Sequence, residues 1–503
     1  MKRVDLLLEP KVRTKEEESS YCKTALLSGP YGAGAEAHSN RVSLGIVGTY
    51  DLIEKAKEWI NRCHEHIESR PLKSIEDPRH DRVHRLLFPD FPGCTVAFEK
   101  KFVVEPQFEQ KIPLSELGGL DKSNKFAYIE KLLQILEAKI ASIVGVGDRK
   151  PDVILVLLTN EMYETCHIVG DYHRRLRKKS LMDELQLDLF QDFDKFSHLP
   201  PKEPEKPLYR VLRSAIKKLA MNPKYEVPVQ IILENTVRGQ ESQNLATRSW
   251  NLCTGLYYKS GDLPWIVSGL DNKTCFLGIS FFHKKTYYSD LVYTSMAHLF
   301  SNDFSSIVLR GEKVPFDESL QAPALDRSKA RSLVERGLAE YHSKRHVYPE
   351  RLVIHKTSRY NEQEVRGFRD VLDEHKIAYD LVSLTKGSLR VIRWGNYPVP
   401  RGTLYVASDN QAHLYTKGFV PDLQTYPGTH IPSPFVVEKA WGDSSIGAIC
   451  SEILALTKLN WNTADYCCGV PITIGFARSV GEVMKEFDEE VDFDPNRLFK
   501  FYM

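Results

Sequence analysis

The chain has 503 residues, of which 42% are hydrophobic and 27% charged, with a formal net charge of +1. That length accommodates two to four domains with separate cores, and the near-neutral balance excludes a uniformly basic nucleic-acid coat but leaves room for a local cationic groove. No apolar run approaches the roughly 20 residues that cross a bilayer, and the apolar stretch within Met1–Glu9 is too short for a secretory leader. The nine cysteines lack metal-ligand spacing, so free thiols in a reducing cytoplasm are expected.

In chain order, residues 1–37 read as an irregular extension with a short strand at Asp5–Leu8. The glycine-rich run Gly29–Gly34 lacks the Lys-Ser/Thr ending of a phosphate loop. A strand at Val42–Val47 followed by a helix over Tyr50–Ile67 predicts the start of a βα layer. Leu86–Pro92 reads as a loop, Phe126–Ile143 as an amphipathic helix, and the apolar run Asp152–Leu158 as a buried strand. Alternating elements up to residue 235 predict a doubly wound α/β domain over residues 38–235. Four prolines in Leu199–Pro207 mark a surface linker within it. A second unit, 236–503, is predicted from strands at Thr274–Phe282, Ser306–Arg310, Arg351–His355, Gly402–Ala407 and His413–Thr416. Helices are predicted there at Arg327–Ser343 and Ile446–Thr457. Basic residues cluster at Arg174–Lys179 and Arg327–Arg345, which solvated helix faces also explain.

Donor-rich residues recur at spacings that suit a terminal phosphate. His173 and Arg177 lie four apart on a predicted helix, hence on one face. Gln230 follows the strand opening at Val227. Asn251 and Lys259 are eight apart, near two helical turns, and share a face. His, Arg and Lys would supply charge-assisted bonds to phosphate oxygens.

Several spaced motifs then carry a family resemblance. The run Leu252–Trp265, with Lys259 ahead of Gly261 and the pair Pro264-Trp265, resembles the Argonaute segment joining the MID and PIWI domains. Thr403–Tyr405, Leu414–Gly418, Tyr426–Thr429, Leu456–Asn462, Pro471–Thr473 and Pro495–Leu498 follow in PIWI order. Leu7–Pro10 and Gly29–Tyr31 resemble the N-terminus of short prokaryotic Argonautes, which consist of MID and PIWI only. The resemblance covers residues 150–503 best. It implies a Rossmann-like MID domain followed by an RNase H-like PIWI domain, both α/β.

It further implies a MID pocket for the 5′-phosphate of a guide. His173 stands where the family usually has tyrosine and Arg177 where it has lysine; Gln230, Asn251 and Lys259 match the usual residues. A Mg²⁺ ion beside the phosphate, held by Gln230 and the terminal carboxylate of Met503, is the implied cofactor. Active PIWI domains hold two Mg²⁺ on strand-end carboxylates. Here the corresponding positions are Ser280, Thr357 and Pro434, and the strand end at His355 and Lys356 carries no carboxylate, so an inactive PIWI domain is expected. The implied partners are a guide RNA, a target DNA and an APAZ-domain effector protein (TIR, sirtuin-like or nuclease, with a TIR NADase favoured), joined in a cytoplasmic heterodimer that could oligomerise further on target binding. Two other readings are an active nuclease using displaced acids such as Asp290 or Asp303, and a free-standing α/β metabolic enzyme.

Overall fold

The computed structural model describes residues 2–34, 39–69, 85–147, 149–170, 209–240, 243–285, 290–300, 306–317, 322–395, 398–426, 431–487 and 493–503. The predicted linker at Leu199–Pro207 lies outside them. The described part contains two sheets of consequence. The first strand, β1 (Arg3–Leu6), belongs to the second of these sheets.

The first unit is a parallel sheet of β2 (Arg41–Gly48), β3 (Lys101–Lys111), β4 (Val153–Leu158) and β5 (Val229–Leu233), in the order β3-β2-β4-β5. Its central strand β4, Val-Ile-Leu-Val-Leu-Leu, is buried at every residue, as a strand covered on both faces must be. Helices α1 (Tyr50–Arg62), α2 (Lys125–Val144) and α3 (Leu212–Ala220) complete the layers. The helix predicted to run to Ile67 stops at Arg62. Cys63 N–H closes the last turn on the Trp59 and Ile60 carbonyls, and Ile67 leaves to pair with Phe91. Strand β3 escaped the sequence reading because Pro106 and its charged residues break the pattern; it is an edge strand, where proline is tolerated.

A long helix, α4 (Leu245–Lys259), capped by the Asn244 side chain, leads into the second unit. There β6 (Thr274–Lys285), β7 (Asp290–Phe300), β8 (Ser306–Val314), β9 (Arg351–Lys356), β10 (Ala378–Lys386), β11 (Thr403–Ser408), β12 (Gln411–Leu414) and β13 (Phe435–Trp441) join β1 in a nine-stranded sheet. Its order is β1-β11-β12-β13-β10-β9-β6-β7-β8. The antiparallel meander β6-β7-β8 flanked by parallel β9 and β10 is an RNase H-like arrangement. Side chains alternate across the sheet. Cys275, Leu277, Ile279, Leu352 and Ile354 share a core with α5 (Arg327–Arg345) and α6 (Glu362–Glu374). Phe276, Val353 and Val382 share another with α7 (Ile446–Leu456) and α8 (Ile472–Met484). Gly278 permits α8 to approach: a Cβ there would lie 2.2 Å from the Thr473 carbonyl oxygen.

Two predicted strands are shifted. The first runs over Arg3–Leu6 instead of Asp5–Leu8, because it pairs antiparallel with β11 until Leu6 meets Thr403. The strand predicted at His413–Thr416 is Gln411–Leu414, set by its register against β13. Just beyond β1, Glu9 sits between two buried cations, with both oxygens 3.0 Å from Arg401 Nε and one 2.5 Å from Lys458 Nζ. The nine cysteines are free. Among the described residues, no helix is long and apolar enough to cross a membrane.

Candidate nucleic-acid interface

Helix α4 is buried over most of its length and delivers Lys259, its last residue, beneath the end of β5. Lys259 is 1% exposed; its Nζ donates to the Val229 carbonyl at 2.9 Å and to Gln230 Oε1 at 2.8 Å. Gln230 is held at this point by the parallel pairing of β5 with β4. The absence of a side chain at Gly255 leaves α4 close to it: a Cβ there would meet Gln230 Oε1 and the Asn462 carbonyl oxygen, each at 3.6 Å. From the other side α3 brings Lys217, whose Nζ donates to the Tyr502 carbonyl at 3.0 Å. The next residue is Met503, whose half-buried side chain packs on the main core.

Two buried lysines set the electrostatics of this corner. Burial drives the Lys259 ammonium well below its ordinary pKa, and the charge of Lys217 adds to the effect. Burial, then the charge of Arg213 one turn earlier on α3, pushes Lys217 down to about 8. Both lysines bond only to neutral oxygens, and among the described residues neither has an acidic side chain as an ion-pair partner. Buried charges are costly unless paired. An anion entering between these ammonium groups would raise both pKa values and relieve that cost.

Of the residues singled out in the sequence, Gln230 and Lys259 are brought into contact, and the chain end at Met503 lies beside Lys217. Asn251 shares α4 with Lys259 but sits two turns away, roughly 12 Å along the axis. Its Oδ1 accepts from the Ala464 N–H at 3.1 Å, so it holds the 460–464 segment of the second unit. His173 and Arg177 lie outside the described residues. Lys217 and Arg213 were missed; the only signal was their i, i+4 spacing on a helix too short to stand out.

At the end of the nine-stranded sheet, the register sets Ile279 beside Lys356, and Thr357 N–H donates to the Ile279 carbonyl at 3.2 Å. Ser280, midway along β6, therefore lies next to Thr357, which follows the end of β9. Pro434 precedes β13 at the same end, two strands beyond β9, and its carbonyl accepts from Gly387 N–H at 2.9 Å. Lys356 turns into the core between β9 and α6 and pairs with Glu364. His355 is wholly buried, with Nδ1 2.9 Å from Thr473 Oγ1. Burial, helped by Arg351 and opposed by Asp380, pushes its pKa down to about 3, so the ring is neutral. Asp290 opens β7 opposite Lys285, whereas Ser280 faces Ser295. Asp290 is thus five residues along the hairpin from Ser280, roughly 17 Å at strand rise. Asp303 lies outside the described residues. Among the described residues, no group of three or more His, Cys, Asp or Glu side chains is arranged to hold a metal ion.

A Rossmann-like sheet joined by one buried helix to an RNase H-like sheet, with a cationic corner at the junction, defines an α/β protein of the MID–PIWI type. The comparisons agree with it. No family model matches the chain. The curated "Protein argonaute" of Aquifex aeolicus is 23% identical over 276 residues, which is 54% of this chain and 35% of that protein. A structure of Clostridium butyricum Argonaute bound to a guide DNA and a 19-mer target DNA superposes with a TM-score of 0.61 at 14% identity. It covers 99% of this chain and 54% of its own. Aquifex aeolicus Argonaute with externally bound siRNA gives 0.56 at 15% identity, over 99% and 55%. The chain is thus related in sequence to an Argonaute and has the fold of the Argonaute MID–PIWI region, and it spans about a third of the curated relative and about half of these solved chains.

Proposed function

We propose that this chain is the guide-binding, non-cleaving MID–PIWI subunit of a short-Argonaute defence system. The observation that carries the reading is the pair of desolvated ammonium groups, Lys217 and Lys259, beside Gln230 and the chain end, bonded to neutral oxygens alone. A terminal phosphate is the anion such a corner fits, since it accepts several charge-assisted bonds at once. Met503 and Gln230 offer hard oxygen donors, and Mg²⁺ is typically held by one or two such groups together with a ligand phosphate and waters. In this reading Mg²⁺ neutralises phosphate charge while the lysines position it. His173 and Arg177 remain further candidates for the same phosphate.

Ser280, Thr357 and Pro434 supply no anionic ligand at the sheet end, and the register carries Asp290 away from it. The reading is therefore of a protein that recognises a complementary target, with an RNA guide and a DNA target, and leaves the effect to an APAZ-linked partner, with a TIR NADase favoured among effectors. Duplex formation would act as the ligand that shifts the complex to its active state. The test is to purify the chain, alone and with its co-expressed partner, and to sequence the bound nucleic acid. Short 5′-phosphorylated RNA and partner activity that needs both guide and target support the proposal. Equal binding of 5′-phosphate and 5′-hydroxyl guides, or effector activity without target, overturns it.

A further inference from the structure

Past the end of β10 the chain continues extended, and its residues alternate in exposure. Lys386, Ser388, Arg390, Ile392 and Trp394 face solvent, while Gly387, Leu389, Val391 and Arg393 are turned inward. The inward positions are tied down. Gly387 N–H donates to Pro434, Val391 N–H donates to Tyr415 Oη at 2.9 Å, and that hydroxyl donates to the Leu389 carbonyl at 3.1 Å. The Arg393 guanidinium lies 4.4 Å from the centre of the Phe419 ring. The outward row is thus held in place by its backbone, and it presents two cations followed by two apolar side chains. Ile392 is 71% exposed and Trp394 92%.

Leaving an indole this exposed forfeits the burial that aromatic residues normally gain. Residues 386–395 contain three cations and no carboxylate, and the Gly387–Pro434 bond places the row at the sheet end shared by Ser280 and Thr357. Cations that track a backbone beside an aromatic face are the combination that binds nucleic-acid strands without sequence readout. We propose that Trp394 is a base-stacking contact for a nucleic-acid strand passing the end of the nine-stranded sheet, with Lys386 and Arg390 taking its phosphates. This rests on the guide-binding reading but concerns a different surface from the phosphate corner.

Fluorescence gives a direct test. Trp59, Trp250, Trp265 and Trp461 are buried and Trp441 is 45% exposed, so in a Trp441→Phe background the solvent-accessible emission comes from Trp394. Addition of target DNA to guide-loaded protein should quench it, and Trp394→Phe should abolish that signal. Trp394→Ala should weaken target binding roughly 5- to 150-fold, the range for loss of a base–aromatic stack, and Trp394→Tyr should restore most of it. Lys386→Ala and Arg390→Ala should each reduce the salt slope of binding by about one. If wild type discriminates 5′-phosphorylated guides but Trp394→Ala binds target normally without quenching, the stacking role alone is refuted. If Trp394→Ala instead loses only the co-purifying partner, the row docks protein and the proposal is wrong. If wild type binds no guide at all, both readings fall together.

Discussion

Lys356 and Glu364 form an ion pair in which neither side chain has any solvent contact, with Nζ 2.5 Å from Oε2 and 2.6 Å from Oε1. The same carboxylate accepts from Leu325 N–H and completes the capping box of α6 with Asn361. Lys356 stands at the end of β9, one residue before Thr357, and its charge is consumed within the core. Removing one partner strands the other. Glu364→Gln should destabilise the second unit by about 3–5 kcal/mol, and Lys356→Met combined with Glu364→Gln should recover much of the loss. Urea unfolding of the single and double variants measures this; equal stability of Glu364→Gln and wild type would show that the pair carries no such weight.

At the cationic corner, Lys259→Ala and Lys217→Ala should each weaken binding of a 5′-phosphorylated guide by about 1.5–3 kcal/mol, the range for hydrogen bonds to charged groups. Binding of the 5′-hydroxyl guide should change little. Fluorescence anisotropy with the two guides reads the difference, and a loss that is the same for both would mean the lysines support the fold and not the ligand.

The lowered lysine pKa values give a pH signature. For Lys217, held near 8 in the folded chain against about 10.4 when unfolded, the unfolded state binds more protons between these values. Stability of the ligand-free protein should therefore rise with pH across that window, by about 2 kcal/mol after discounting for partial solvent access. Lys217→Met should flatten that rise. Guide affinity should move the other way: bound phosphate favours the charged lysines, so raising the pH from 8 to 10 should weaken binding while the phosphate itself keeps its charge.

Guide-loaded protein should leave complementary DNA and RNA intact in Mg²⁺ or Mn²⁺, because two-metal hydrolysis needs anionic ligands that Ser280, Thr357 and Pro434 do not provide. Denaturing gels of end-labelled targets decide this. A guide-dependent product that disappears on Asp290→Asn or Asp303→Asn would restore the nuclease reading.

Much of the fold was legible where burial on both faces leaves a continuous apolar run, as in β4, or where helical periodicity is long, as in α2. It was not legible in β3, where an edge strand tolerates Pro106, nor in β7, β10 and β13. β10 and β13 pair with strands distant in sequence, β7 pairs with its immediate neighbours β6 and β8, and β10 keeps the buried Asp380, which Arg351 and Ser444 together make tolerable. In the site, Gln230 and Lys259 could be matched by motif, whereas Lys217 becomes visible only when its ammonium is seen desolvated next to the chain end. Asn251 matched by spacing yet serves a contact, with Ala464, that spacing cannot reveal.

The pairing of β1 with β11 also sets an order of events during synthesis. Val4 must wait for Tyr405, some 400 residues later, a separation that makes closure slow, while the strands β2–β5 find all their pairing partners within residues 41–233. Until the ribosome has released β11 and the segment bearing Lys458, the backbone of β1 and the carboxylate of Glu9 have no partners. A nascent chain of this kind holds a paired first sheet beside an unpaired leading strand, so exposed strand edge during translation should include its first ten residues.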